Sequence, residues 1–169
     1  IINMSLGRET GGPAPVIEDA IRYAVSRGVF VAIASANTRE QGNQPNQIGN
    51  ISPSLAGAVT VGAVGRSLDL AYYSTTSPSV ELSAPGGDTR QAGGSSGAIL
   101  QQTLDLDLLE TFNRPPAQFG PPRADSFAYY YFQGTSMATP HVAGFAALLV
   151  QQGITSPAAI EDAMKKYAT

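Results

Sequence analysis

The sequence predicts an α/β fold in which a mostly parallel sheet carries helices on both faces. Three observations lead to this prediction. A strand, a helix and a second strand follow one another in residues 1–34, two further strand-like runs follow, and a long apolar helix begins just after a glycine turn at position 134. Because a strand–helix–strand unit closes with a right-handed crossover between parallel strands, this order favours a parallel sheet.

The first strand–helix–strand unit is indicated by residue pattern. Residues 1–6 favour a short strand that runs into Gly7. From Val16 to Arg27 apolar residues recur at helical spacing, and Gly28 follows as a C-terminal cap. The apolar, β-branched run at 29–34 is typical of a strand buried on both faces.

The middle of the chain alternates between strands and loops. A polar loop is predicted over 37–54, and strands are predicted over 58–64 and 80–84. Residues 88–127 hold paired glycines and prolines and one apolar patch at 99–109, so we expect an irregular surface insertion there. Residues 1–169 are expected to be part of a single domain that carries this insertion.

The last third returns to regular structure. Residues 127–132 predict a strand, and residues 137–152 predict a helix that is apolar all round and therefore buried. Ser156 and Pro157 are the N-cap and first residue expected of a final helix. The core face of that helix is predicted to comprise Ile160, Ala163, Met164 and Tyr167.

Composition excludes several classes of function. The chain has no cysteine, which rules out disulfides, Cys-ligated zinc and a thiol nucleophile, and its single histidine argues against a His-based metal site. A net charge of −3 offers no basic surface for nucleic acid or an anionic membrane. No apolar run approaches the roughly 20 residues of a membrane-spanning helix.

The segment most suggestive of chemistry is Gly134-Thr135-Ser136-Met137-Ala138-Thr139-Pro140-His141-Val142-Ala143-Gly144. Ser136 falls where a strand and a Gly turn lead into the long helix. A helix N-terminus presents free N–H groups and partial positive charge, which favour a serine nucleophile and its oxyanion. On these local features alone, a simple N-cap is the favoured interpretation of Ser136.

This run resembles the nucleophile motif of the subtilisin-like (subtilase) family of serine proteases. It differs from the Gly-x-Ser-x-Gly elbow of α/β-hydrolases, because Ala138 stands at the second glycine. The resemblance implies that Ser136 is the nucleophile. It also implies a three-layer αβα architecture, of which this chain is expected to be the C-terminal part, lacking the N-terminal strands and helices.

Two further segments resemble the same family in the expected order. Residues 1–7 are similar to the strand that pairs with the substrate backbone, and residues 31–37 are similar to the strand that ends at the oxyanion-hole asparagine. The resemblance implies that Asn37 is this asparagine, although a turn role at a strand end is the alternative. The residues that it implies for substrate binding are Ser5, Leu6, Gly7, Ala34, Ser35 and Ala36.

The chain also departs from the family pattern at two neighbouring positions. Ala36 stands where the family usually has glycine, and its methyl group could narrow the primary specificity pocket. Arg8 stands where a second glycine is common, and it could reach the cleft or point into solvent.

The family's Asp and His motifs have no counterpart in these residues. His141 lies five positions after Ser136 on the same predicted helix, which points it about 140° away, so it matches the family's structural histidine and not its base. We therefore expect the isolated chain to be inactive unless a preceding segment supplies Asp and His. The part-sheet should also expose an apolar edge.

The expected function is endopeptidase cleavage of proteins or peptides through an acyl-enzyme on Ser136, acting extracellularly or in the cell envelope, as the resemblance implies. No cofactor is required. The resemblance permits structural calcium, but the loop at 41–54 carries no carboxylate to bind it. Two alternatives stay open: a non-catalytic fragment that self-associates or binds peptides by edge pairing, and a lone-Ser hydrolase with another base.

Overall fold

The computed structural model describes residues 1–91, 93–104 and 127–168. Its main sheet has four strands in the order β1-β2-β3-β4, and every neighbouring pair is parallel. These strands are β1 Ile2–Met4, β2 Val31–Ala34, β3 Ala58–Val64 and β4 Val80–Pro85. The prediction of an α/β fold with a mostly parallel sheet is confirmed.

Helices cover both faces of this sheet. The three α-helices are α1 Pro15–Ser26, α2 Thr135–Gln151 and α3 Pro157–Tyr167. Short 3₁₀ helices lie at Arg39–Gln41, Ile48–Ser54 and Gly94–Gly97. The predicted polar loop at 37–54 therefore holds two helical turns. None of the helices in the described part of the chain is long and apolar enough to cross a membrane.

Side chains of the buried strand β2 point alternately to the two faces of the sheet, and each face carries a layer of helices. Val31 and Ile33 point to one side, where they join a core with Ile21 of α1. Ala32 points to the other side, where it joins a core with Val142 of α2 and Ile160 of α3. All four residues of β2 are buried, as expected for a strand with a helical layer on each face.

Two predicted helix boundaries are confirmed. Gly28 follows α1 with φ of 82°, and its N–H donates to the Val25 carbonyl at 2.9 Å. At the start of α3, the hydroxyl of Ser156 accepts the Ala159 N–H at 3.3 Å. Both ends thus satisfy backbone groups that a helix terminus leaves unpaired.

The region expected to be irregular contains a strand. β5 (Ile99–Leu104) pairs antiparallel with β6 (Phe127–Phe132), and these two form a separate sheet. β6 is therefore not part of the parallel sheet, and it leads into the turn before α2. The rest of the expected insertion, residues 105–126, lies outside the described residues.

The prediction that α2 is buried all round is wrong for this chain. Ala138 and Ala146 are fully buried against the sheet, whereas Phe145 and Leu148 are 50% and 57% exposed. The outer face of α2 is apolar but meets no other element in the described residues. In α3, likewise, Ile160 and Met164 are buried while Tyr167 is exposed.

Candidate active site

Gly134 makes the turn between β6 and α2. It has φ of 153° and is buried, and its N–H donates to the Gly86 carbonyl at 3.0 Å. A side chain at this position would meet the amide of Asn37 at 3.5 Å. Glycine therefore allows the turn to adopt a conformation rare for other residues and keeps the space above that amide open.

Ser136 lies in the first turn of α2 and is half-buried. Its hydroxyl makes a long hydrogen bond of 3.4 Å to the Ser5 carbonyl, and the Ser5 hydroxyl donates to the Ser136 carbonyl at 2.8 Å. These two contacts join α2 to the segment that follows β1. Among the described residues, nothing accepts the N–H of Ser136.

Asn37, three residues after β2, turns its amide towards the same turn. Its Oδ1 accepts the Thr135 N–H at 2.9 Å and the Thr135 hydroxyl at 3.1 Å. Because two donors fix Oδ1, the orientation of the amide is settled and Nδ2 is left as a donor. No acceptor for Nδ2 occurs within the described part of the chain.

The arrangement suits the stabilisation of negative charge. Nδ2 of Asn37 and the N–H of Ser136 are two unoccupied donors beside one hydroxyl, at the positive end of α2. Donors that are already oriented towards developing charge lose little energy in reorganisation during a reaction. This set of groups can hold the oxygen of a tetrahedral intermediate formed at Ser136.

A cleft with a volume of about 130 Å³ opens beside Ser136. One wall is the chain after β1, and the other is the end of β2 and the residues that follow it. The cleft is lined by Ser5, Leu6, Gly7, Glu9, Ala34, Ala36, Asn37, Thr135 and Ser136. Most of these side chains are small, so the backbone forms much of the surface.

The buried side chain of Asn46 connects the two walls of the cleft. Its Nδ2 donates to the Leu6 carbonyl at 3.1 Å and to the Ala34 carbonyl at 2.6 Å. Its Oδ1 accepts the N–H groups of Arg8 at 3.0 Å and Ile48 at 3.1 Å. The side chain is 2% exposed, and all four of its bonds go to the backbone. Asn46 therefore sets the distance between the walls.

Tyr73 supports the turn from the side of β4. Its hydroxyl lies within hydrogen-bond distance of the carbonyls of Gly86 and Gly87, at 2.8 and 2.6 Å, and Gly86 in turn accepts the Gly134 N–H. Burial raises the pKa of the Tyr73 hydroxyl above its usual value, because the ionised form would lose its hydration. The hydroxyl therefore stays protonated and able to donate over the ordinary pH range.

A second cluster holds the residue before the turn. The Gln133 amide donates to the Tyr72 hydroxyl at 2.7 Å, and the guanidinium of Arg90 lies 3.5 Å from the centre of the Tyr72 ring. Arg90 also pairs with Glu40 at the surface, and its hydrogen bond holds the pKa of Glu40 below its usual value. The loop after Asn37 is thereby joined to the turn before Ser136.

The structure brings seven of the eight predicted site residues to this cleft. The exception is Ser35, which is buried and whose hydroxyl donates to the Thr75 carbonyl at 3.3 Å. Successive side chains of an extended segment point to opposite sides, so Ser35 faces away from the cleft while Ala34 and Ala36 line it. The substrate-binding roles themselves stay predictions.

His141 does not join the site. It is exposed on α2, and its Nδ1 lies 2.8 Å from the Met137 carbonyl one turn earlier. Since His141 is the only histidine of the sequence, no imidazole of this chain lies beside Ser136. The described residues also contain no group of three or more His, Cys, Asp or Glu side chains that could hold a metal ion.

Sequence reasoning assigned no site role to Glu9 or Asn46. Glu9 lines the cleft, yet in the sequence it is one charge in a surface loop. Asn46 lies in the predicted polar loop at 37–54, and asparagine is common in such loops. Asn46 binds the carbonyls of Leu6 and Ala34, which are 40 and 12 residues away in the sequence. These contacts could not be predicted without the fold.

Comparison with known proteins gives one consistent result. The model of the subtilase family, Peptidase_S8, matches residues 1–169. An extracellular protease from Xanthomonas campestris pv. campestris is 32% identical over 99% of this chain, and subtilisin E from Bacillus subtilis is 31% identical over all of it. A solved protease structure from Pseudoalteromonas arctica covers 99% of this chain with a TM-score of 0.75 and 34% identity.

The chain spans only part of each of these proteins. It covers 24% of the Xanthomonas protease, 35% of subtilisin E and 44% of the solved Pseudoalteromonas chain. The matched part includes the nucleophile-like turn, the asparagine after β2 and the cleft between them. The similarity thus extends over the whole of the candidate site.

Proposed function

The chain belongs to the subtilase family, and from this premise we propose that it supplies the nucleophile and the oxyanion-binding groups of a serine endopeptidase. One observation carries the proposal. Ser136 lies at the N-terminus of α2 with two free donors beside its hydroxyl and a cleft alongside. The substrates are proteins or peptides.

In the proposed reaction, the hydroxyl oxygen of Ser136 attacks the scissile carbonyl while its proton passes to a histidine base. The carbonyl oxygen becomes negative and is held by Asn37 Nδ2 and the Ser136 N–H. The bond to the leaving amine then breaks as the histidine returns the proton to that nitrogen. Water attacks the remaining ester by the same steps and frees Ser136.

The energetic share of these residues can be estimated. One oxyanion donor is typically worth about 3–4 kcal/mol of barrier. Without a base a serine hydroxyl is a weak nucleophile at neutral pH, and donors alone give a rate lower by orders of magnitude. We therefore propose that these 169 residues are inactive by themselves.

We propose that the histidine and aspartate come from polypeptide outside these residues. His141 is turned away from Ser136 and bound to Met137, so it does not serve as the base. β1 lies at the edge of the sheet, and Ile2 on it is 39% exposed. The outer face of α2 is apolar and open as well. Both surfaces suit a further segment that adds strands beside β1 and covers α2.

Other parts of the proposal rest on family membership. The reaction uses only side chains and backbone N–H groups, so we propose that it needs no cofactor. Relatives such as the Xanthomonas enzyme are named extracellular proteases, and we propose that this protein also acts outside the cell.

The open edge of β1 also favours a second candidate, a fragment that associates through that edge without catalysis. This candidate predicts that Ser136 is irrelevant to function. It also predicts that association persists when the serine is replaced.

Peptide cleavage by the complete protein that contains these residues tests the proposal. We expect hydrolysis of an unfolded protein such as casein, and Ser136→Ala should lower kcat by at least about 10³-fold. The matched control is Ser77→Ala, a serine away from the cleft that should leave the rate unchanged. Hydrolysis that survives Ser136→Ala would contradict the proposal, and the isolated 169 residues should show none.

A further inference from the structure

One charged residue is among those that line the cleft beside Ser136. Glu9 lines it, and all the other lining residues are neutral. Glu9 is exposed and has no hydrogen bond or ion pair with any residue that the structure describes. An unpaired carboxylate in a small cleft attracts a cation, since no positive group of the lining neutralises it.

The neighbouring arginine does not neutralise Glu9. Arg8 turns back along the chain, so that its Nε donates to the Thr10 carbonyl at 2.9 Å and its Nη2 to the Gly11 carbonyl at 3.1 Å. The donors of the guanidinium are therefore directed at two backbone carbonyls beyond Glu9. The carboxylate remains free for a ligand.

The backbone around Glu9 is held in place. The N–H of Arg8 donates to Asn46 at 3.0 Å, and the carbonyl of Arg8 accepts the Gln47 N–H at 2.8 Å. On the other side of Glu9, the Arg8 side chain binds the carbonyls of Thr10 and Gly11. This bracing reduces the entropy that Glu9 would lose when it binds a ligand.

The shape of the cleft selects the kind of cation. Its volume is about 130 Å³, and the methyl group of Ala36 occupies part of the wall. An unbranched methylene stem fits such a space more easily than an aromatic ring does. Lysine and arginine side chains combine a stem of this kind with a terminal group that donates charge-assisted hydrogen bonds.

We propose that Glu9 makes this cleft selective for lysine or arginine at the substrate residue that precedes the cleaved bond. The inference rests on the proposed function, because it assigns the cleft to the acyl side of the substrate. It adds a substrate class that family membership does not give. Glu9 acts by binding the substrate side chain and takes no part in the bond-breaking steps.

Matched peptide substrates test this inference in the complete protein. The peptides differ only at the residue before the cleaved bond, which is Lys, Arg, Glu, Leu or Phe. We expect the kcat/KM ratio of the Lys peptide to the Leu peptide to exceed one. Glu9→Gln should lower this ratio about tenfold, the effect of losing one charge-assisted hydrogen bond at a partly exposed site.

The control for net charge is Asp19→Asn. Asp19 is an exposed carboxylate on α1, away from the cleft, so the same charge change there should leave the ratio unaltered. Glu9→Lys should reverse the selectivity towards a Glu peptide. A ratio unchanged in Glu9→Gln, or lowered equally by Asp19→Asn, overturns the inference.

Binding to the Ser136→Ala protein separates this inference from the proposed function. Titration calorimetry compares the Lys and Leu peptides without any cleavage. If the serine form cleaves nothing but Ser136→Ala binds the Lys peptide more tightly through Glu9, the proposed function fails, while the selection of a basic side chain by Glu9 is supported. If both peptides bind equally, or if Glu9→Gln has no effect on the difference, the inference is overturned whatever the activity.

Discussion

Asn37 serves the turn and the cleft with different atoms of one amide. Its Oδ1 accepts from Thr135 and so holds the start of α2, while Nδ2 is the free donor beside Ser136. A substitution that keeps the oxygen and removes the donor therefore separates stability from catalysis. Aspartate is this substitution.

We expect Asn37→Asp to lower kcat by at least about 10²–10³-fold, because it removes one oxyanion donor and places a negative charge beside the oxyanion. KM should change little, and the unfolding midpoint in urea should stay near that of the parent because Thr135 keeps its acceptor. Asn37→Ala is the comparison, and it should lose both rate and stability. An Asn37→Asp protein with the kcat of the parent would remove Asn37 from the mechanism.

Ala36 has a backbone conformation that suits glycine better. It has φ of 96° and is 5% exposed at the cleft wall. A left-handed conformation costs an L-residue about 1–2 kcal/mol, and the larger entropy of glycine in the unfolded chain returns about 0.5–1 kcal/mol of that difference. The sequence shows that alanine stands where glycine is usual, but only the structure shows its dihedral angle.

Ala36→Gly should therefore stabilise the protein by about 0.5–1 kcal/mol in urea unfolding and should let larger side chains into the cleft. The matched control is Ala34→Gly, because Ala34 lies in β2 and does not have a positive φ. The same change there should destabilise the protein. Equal destabilisation by both substitutions would show that Ala36 is not strained.

The sequence was a good guide to residues that lie within contiguous motifs. Ser136, Asn37 and the cleft residues on either side were located because each motif spans a strand end and the turn after it. Ser35 was misplaced because a motif does not show which side an extended residue faces. Glu9 and Asn46 were not predicted as site residues, because their positions depend on how separate loops meet in space.

At the level of elements, the segments around the cleft are held together by polar contacts from loops. Asn46 binds four backbone groups, from the chain after β1, from the end of β2 and from the 3₁₀ helix at Ile48–Ser54. In the described residues, no other side chain makes as many hydrogen bonds to the backbone of these elements. Asn46 is thus a positioning residue for the cleft.

We predict that Asn46→Ala costs about 2–4 kcal/mol of unfolding free energy, since it leaves buried backbone groups without partners. KM should rise as the two walls separate. Asn50→Ala is the control, because Asn50 is exposed and its loss should stay within about 0.5 kcal/mol. If the two alanine variants were equally stable, Asn46 would not hold the walls together.

Tyr73 gives the turn before α2 a dependence on alkaline pH. An unfolded tyrosine has a pKa of about 10, and burial raises the pKa of Tyr73 in the folded protein. The folded state therefore holds this proton more tightly. The stabilisation is fully present below about pH 10 and is lost as the pH rises above it.

Tyr73→Phe should destabilise the protein by about 1–2 kcal/mol at pH 8, because the carbonyls of Gly86 and Gly87 lose their donor. The difference between variant and parent should hold up to about pH 10 and narrow as the pH rises above it in urea titrations. Tyr23→Phe, at an exposed site on α1, should show neither effect. A difference that is constant with pH would mean that Tyr73 ionises normally.

Element prediction succeeded where local pattern decides structure. The bounds of β3 agree with prediction because a β-branched run between two glycine-containing turns has few alternatives. The burial of α2 was wrong because burial depends on what lies against the helix, and nothing in the described residues covers its outer face. The β5–β6 pairing was not predicted, because antiparallel register between distant segments leaves little local signal.

At the scale of the whole molecule, the candidate site around Ser136 lies in a chain that has open surfaces. β1 is an edge strand, and Phe145 and Leu148 of α2 are exposed. The family relatives are roughly three to four times longer than the matched region, since the chain covers 24% and 35% of two of them. We propose that further polypeptide completes both the sheet and the catalytic triad.

The most direct test is to treat the complete protein with a fluorophosphonate, which reacts only with an activated serine, and to map the adduct by mass spectrometry. We expect one adduct per molecule, on the peptide that contains Ser136, and none on the isolated 169 residues or on Ser136→Ala. Proteolysis by a protein that carries no adduct at Ser136 would contradict the proposal. So would full labelling of the isolated chain, because Ser136 would then be activated without an added histidine.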